Sequence, residues 1–192
     1  HPKVLTYIEV LREHKEVGKK VAVIGAGGIG FDVSEYLLHH KHAEPEIAGF
    51  MNEWGVDMQF EDRGAMKNPE FPDADREIFL LKRSPGKHGG GLGKTTGWIH
   101  RQSLKKHKVK MIGEVTYEKV DDAGLHITVK GEPQVLDVDN VVICAGQLTF
   151  DELSDSLKGK GINTHVIGGA FKAGELDAKV AIKQASELAA SL

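Results

Sequence analysis

Apolar positions along the chain follow two different periods. Val4, Leu5, Ile8 and Leu11 recur at helical spacing, which predicts a short amphipathic helix over Pro2–Arg12. A charged stretch ending at Gly18 separates it from Lys20–Ile24, a short β-branched run of the kind that forms a strand buried on both faces. Ile29, Val33, Tyr36 and Leu37 then return to helical spacing and predict a helix from Gly28 to about His39. Residues 41–77 keep no period and read as a long irregular insertion, uncommon in compact domains and often functional.

Alternation resumes with a strand over Glu77–Arg83, a glycine-rich loop over Ser84–Gly93, a helix over Thr95–His107 and a strand over Val109–Ile112. Three alternating segments follow, Val115–Val120, Leu125–Val129 and Gln134–Val138, with turn signals between them, and they predict an antiparallel meander. A buried strand over Asn140–Gly146 ends in small residues. A last strand, His165–Ile167, leads through Gly168 and Gly169 to a helix from about Leu176 to Leu192.

Gly25-Ala26-Gly27-Gly28-Ile29-Gly30 matches G-x-G-x-x-G and lies between a predicted strand and a predicted helix, the context the motif requires. Gly25 permits the tight turn, Gly27 lets backbone approach a pyrophosphate, and Gly30 permits close helix–strand packing. The helix then turns free N–H groups and its positive end toward the phosphates. The fold class is therefore α/β, a Rossmann-like NAD(P)-binding domain with a parallel sheet and an antiparallel meander.

The second strand ends in Lys82-Arg83-Ser84, without the carboxylate that reads the ribose of NAD. Arg83 can offer a bidentate fork to a 2′-phosphate, Lys82 or Lys87 a point charge, and Ser84 a hydroxyl, so NADPH is expected over NADH. A solvated basic strand end is the structural alternative. Gly93-Lys94-Thr95-Thr96 looks like the end of a P-loop, but His88 stands where that motif needs glycine. Lys94 or Thr95 is instead expected near phosphate or ribose, with Thr95 as a helix N-cap the structural alternative.

Composition narrows the classes further. A net charge of −3 argues against nucleic acid as the default partner. Cys144 is the only cysteine, which excludes an intrachain disulfide, a CxxC pair or an iron–sulfur site and fits a reducing cytoplasm. No apolar run approaches the roughly 20 residues that span a bilayer, and no leader opens the chain, so no membrane association is expected. His39, His40 and His42 read as a solvated helix end rather than a metal site. A chain opening on His1 rather than Met is expected to be a processed or excised piece.

Several segments together resemble bacterial NADPH-dependent 2,4-dienoyl-CoA reductases near their C-terminus. They are Val21–Tyr36, the Gly-Phe-Met-Asn-Glu-Trp-Gly run at 49–55, Gly91–Arg101, Val141–Gln147 and Glu175–Ala178. The resemblance implies an NADPH-binding domain over 1–150, with 41–77 as its insertion, and a C-terminal segment of an FAD-binding domain over 151–192. It implies that Val4–Leu11 crosses into the NADPH domain. It assigns Ala145, Gly146, Gly169, Ala170 and Phe171 to cofactor contact, so that FAD has a partial site here. Gly169-Ala170 stands in place of the Gly-Asp common in related flavoproteins. FMN and a [4Fe–4S] cluster belong to an N-terminal barrel that this chain lacks, and docking to that barrel and to the FAD domain is expected. No catalytic residue is assigned here. The resemblance implies electron flow from NADPH through FAD to a dienoyl-CoA; the alternative is a non-catalytic adenine-nucleotide module of an electron-transfer flavoprotein.

Overall fold

A computed structural model of the chain describes residues 1–38, 46–174 and 177–192. The chain divides into two compact units, His1–Ala145 and Gly146–Leu192.

The first unit is built on a five-stranded parallel sheet in the order β1-β8-β2-β3-β4, formed by Val4–Thr6, Asn140–Ile143, Lys20–Ile24, Glu77–Leu81 and Lys110–Ile112. Successive side chains of β2 point to opposite faces, so Val21 and Val23 join one core and Ala22 the other. The first core packs under helices α1 (Tyr7–Leu11), α2 (Gly28–Leu38) and α4 (Gly97–Lys106) through Val10, Phe31, Val33, Leu37 and Leu104. The second lies under the antiparallel sheet β5 (Val115–Asp121), β6 (Gly124–Val129) and β7 (Glu132–Leu136), through Val115, Leu125, Ile127 and Leu136. Both faces of the parallel sheet are thus covered, which is why its strands are continuous apolar runs. Each fully buried Val, Leu or Phe contributes roughly 1.5–3 kcal/mol through area removed from water.

The N-terminal segment departs from expectation. Val4–Thr6 is an edge strand paired with Val141–Ile143, and helix α1 begins only at Tyr7. Thr6 accepts from the Glu9 N–H while Glu9 accepts from the Thr6 N–H at 2.7 Å, a capping box that fixes the start. The Thr-x-x-Glu signature stood in the sequence, but helical spacing of the apolar residues masked it.

The insertion is also more ordered than its lack of period suggests. It holds helix α3 (Ile47–Glu53), a 3₁₀ turn at Arg63–Ala65 and an isolated bridge between Val56 and Met66. Asp57, buried, accepts from the N–H groups of Gln59 and Asp62, and these bonds hold its carboxyl below its usual range. The segment attaches through aromatic edges: Trp54 meets Phe71, and Phe71 meets His107, each with centroids 5.5 Å apart. At its end Arg76 donates to the carbonyls of Gly18 and Leu37, tying the last turn of α2 to the entry of β3.

The remaining boundaries move by a few residues. The meander's second turn tightens to Lys130-Gly131, both at positive φ (52° and 87°), as a two-residue hairpin requires, so β7 begins at Glu132. The expected histidine cluster at 39–42 lies outside the described residues.

The second unit contains helices α5 (Ser154–Gly159), α6 (Gly168–Phe171) and α7 (Ala178–Ser191). Asp177 caps α7 by accepting from the Val180 N–H at 2.8 Å. His165–Ile167 does not form the expected strand. No strand of this unit is present among the described residues to supply a ladder, and an apolar run makes a strand only against a partner.

Candidate nucleotide site

The glycine fingerprint sits where the sheet order reverses. β2 is flanked by β8 on one side and β3 on the other, and chain direction diverges there, as at the ligand-binding crevice of open α/β sheets. Gly25 follows β2 at φ +113°, donates to the Leu81 carbonyl at 2.9 Å, and presses on β8, where a Cβ would stand 2.6 Å from the Cys144 carbonyl oxygen. Only glycine fits both demands. A Cβ on Gly30 would overlap the Gly25 carbonyl oxygen, so the first turn of α2 folds back onto the loop that precedes it.

Gly27 and Gly28 differ from those two. They are exposed, and nothing lies within 4 Å of a Cβ built on either. Their backbone faces open space at the N-terminus of an eleven-residue helix with no acidic residue in its first turn. Unbonded N–H groups and the positive helix end there suit a pyrophosphate. Ile29 is half-buried against the helix-side core. Ala26 contributes its carbonyl, which accepts from the Gly89 N–H at 3.1 Å.

That bond brings in the loop after β3. Gly89, at φ +64°, is buried against Phe31 and Leu92, and Arg101 of α4 donates to its carbonyl at 3.0 Å. His88 beside it is buried, and its Nε2 lies 3.2 Å from the carbonyls of Leu80 and Ile112, which requires the proton on that nitrogen. Burial lowers the His88 pKa, and the Lys82 charge pushes the same way against the hydrogen bonds to Ile112 and Leu80. The ring therefore anchors the loop as a neutral donor. Sequence reasoning missed His88, treating it only as the residue that breaks a P-loop.

The basic strand end divides its labour. Lys82 donates from Nζ to the carbonyls of Pro85 and Lys87, both at 2.9 Å, and so closes the loop on itself. Arg83 and Ser84 are exposed. Arg83 lies near Tyr117 of β5, whose phenol is pushed up to about 12 by burial, with the Arg83 charge pulling the other way. The Tyr117 hydroxyl is buried without a hydrogen-bond partner among the described residues. Lys94 is exposed in the turn ahead of α4. That helix starts at Gly97 with Thr96 at the N-cap and no side-chain cap bond, so the Thr95 cap is not formed.

At the end of β8, Ala145 and Gly146 are exposed, and Gly146 adopts φ +83°. The Cys144 thiol just before them is pushed up to about 12 by burial, the state of a core residue rather than a nucleophile. In the second unit Gly169, Ala170 and Phe171 lie in the four-residue helix α6, whose Gly168 N–H donates to Gln184 at 2.8 Å. Among the described residues no group of three or more His, Cys, Asp or Glu is placed to hold a metal ion, and no helix is long and apolar enough to cross a membrane.

Comparison with known proteins agrees with this fold. The curated metal reductase of Desulforamulus reducens is 24% identical over 170 residues, covering 88% of this chain and 25% of that protein. Among solved structures, a 2-naphthoyl-CoA reductase in complex with 2-naphthoyl-CoA matches with a TM-score of 0.62 at 20% identity, over 93% of this chain and 22% of its own. The 6-hydroxypseudooxynicotine amine oxidase of Pseudomonas geniculata matches with a TM-score of 0.64 at 16% identity, over 91% and 22%. The chain thus spans about a quarter of the length of these relatives. Residues 4–171 match the pyridine nucleotide-disulphide oxidoreductase family. The chain belongs to that family, and its fold is the family's Rossmann-like FAD/NAD(P)-binding domain.

Proposed function

We propose that the chain is the NADPH-binding part of a larger flavoprotein reductase of the 2,4-dienoyl-CoA reductase type. The observation that carries this reading is the glycine turn at the β2/β8 reversal, with Gly25 wedged against Cys144 and an open backbone face at Gly27 and Gly28. The pyrophosphate would lie on that face, under the first N–H groups of α2. Arg83 and Ser84, exposed at the end of β3, would receive the 2′-phosphate, and Lys94 the neighbouring phosphate or ribose. Lys82 acts at one remove, by holding the loop that carries Lys87.

In this reading the first unit takes NADPH, and the second contributes Gly169, Ala170 and Phe171 to a partial FAD site. NADPH, when bound, supplies hydride for FAD. The chain's own residues bind and orient; its single buried cysteine provides no dithiol. FMN, a [4Fe–4S] cluster and the acyl-CoA site would belong to the rest of a longer polypeptide in the cytoplasm, against which the insertion docks. The sequence segments shared with dienoyl-CoA reductases support the acyl-CoA assignment, as does the likeness to a reductase solved with a CoA thioester.

Calorimetric titration of the chain with NADPH, NADH and ADP tests the reading. NADPH is expected to bind tighter than NADH by tenfold or more, the scale of one charge-assisted contact at about 1.4 kcal/mol. Equal affinities would overturn the NADPH assignment. ADP binding as tightly as NADPH would favour a non-catalytic adenine-nucleotide module instead. Flavin retention after gel filtration tests the second unit: little FAD is expected to stay, and a stoichiometric yellow chain would contradict a partial site.

A further inference from the structure

Helix α4 carries Trp98, Arg101, Gln102 and Lys105 at positions i, i+3, i+4 and i+7, one face of the helix. Such spacing ordinarily marks a buried apolar stripe. Here it lines an open groove of about 490 Å³, together with Val109, Met111 of the edge strand β4 and Lys87 of the β3–α4 loop. The volume is that of a small-molecule site.

Three features give the groove a chemistry. Lys87, Arg101 and Lys105 all face it, no acidic residue lines it, and none of the three pairs with a carboxylate among the described residues. Three uncompensated cations in a chain of net charge −3 are a local concentration of positive potential. Trp98 is 55% exposed, an indole left available for stacking. The lining includes no residue of the fingerprint Gly25–Gly30 and none of Lys82–Ser84, and shares only Lys87 with the cations expected at the 2′-phosphate.

We propose that this groove is a second anion site that binds a nucleoside phosphate, its base stacked on Trp98 and its phosphates held by Lys105 and by the Arg101 nitrogens not engaged by the Gly89 carbonyl, with Lys87 shared with the 2′-phosphate contact. An inorganic anion alone would leave the indole and the apolar Val109 and Met111 unused. A planar base carrying two or more negative charges engages both.

ADP is a suitable probe because it lacks a 2′-phosphate, so at the fingerprint it forgoes the phosphate contact expected of Arg83 at the end of β3. In a Trp54→Phe chain, Trp98 is the only tryptophan, and its emission reports the groove directly. ADP is expected to quench it in a saturable, salt-sensitive way. Reversing charge on the exposed helix face with Gln102→Glu and Lys105→Glu is expected to weaken that quenching at least tenfold. Equilibrium dialysis should then show the double variant losing one equivalent of bound ADP per chain, with its circular dichroism unchanged. Trp98 emission that ADP does not move, or quenching and stoichiometry indifferent to the charge reversal, would overturn the proposal.

Discussion

Gly25 and Cys144 meet across the reversal of the sheet, with a Cβ on Gly25 placed 2.6 Å from the Cys144 carbonyl oxygen. The contact joins the turn after β2 to the end of β8. Gly25→Ala combines that collision with strain at φ +113°. We expect a stability loss of about 3 kcal/mol in urea unfolding, together with lost nucleotide binding. A variant as stable as the parent would show that the turn can relax away from β8.

Arg83 and Lys82 should separate in their effects. Arg83 is free to reach a ligand, so Arg83→Ala is expected to cost NADPH roughly 1–3 kcal/mol while leaving NADH affinity unchanged. Lys82 spends its donors on the carbonyls of Pro85 and Lys87, so Lys82→Met should loosen the loop and lower both affinities alike. Calorimetry with the two nucleotides distinguishes a contact with the phosphate from support of the loop.

His88 predicts a dependence on pH. Its folded pKa lies below the ordinary value of 6.5, chiefly because burial disfavours the charged ring. The unfolded chain therefore takes up the proton first. The neutral ring's contribution is fully present above pH 6.5 and is lost as pH falls through the lower folded value. Denaturant unfolding of the parent chain between pH 7.5 and 5 should show this loss as a slope. In His88→Gln, which retains a donor but does not titrate, the slope should be shallower; equal slopes would remove His88 as the source.

Phe71 links the insertion to the domain through Trp54 on one side and His107 on the other. Phe71→Ala is expected to cost about 2 kcal/mol, less than a full core deletion because the ring is only half-buried. The near-ultraviolet circular dichroism of Trp54 should collapse with it. Phe50, Met58, Phe60 and Met66 remain exposed on the same segment, and substituting Phe60 should leave stability unchanged. These exposed groups are the ones available to a docking partner, whereas Phe71 belongs to the fold of this unit.

What the sequence determined by itself was whatever depends on neighbours along the chain. Lys20–Ile24 had to be a buried strand because its β-branched run admits no polar face, and Gly25–Gly30 had to be a strand-to-helix turn because its glycines sit where a tight bend needs them. Outside the 41–77 insertion, where helix α3 went unread, the order of elements from β2 to β8, the meander and the final helix followed from period and punctuation alone. Tertiary structure decided whatever depends on partners distant in sequence. Val4–Thr6 is a strand only because Val141–Ile143 offers it a ladder, and His165–Ile167 is not one among the described residues because no strand there does. His88 became an anchor, and Lys82 a loop clasp, because backbone carbonyls stand within reach of them. The residue types announced a basic, glycine-rich loop; which cation stayed exposed and which closed the loop was settled by hydrogen bonds that no local pattern encodes.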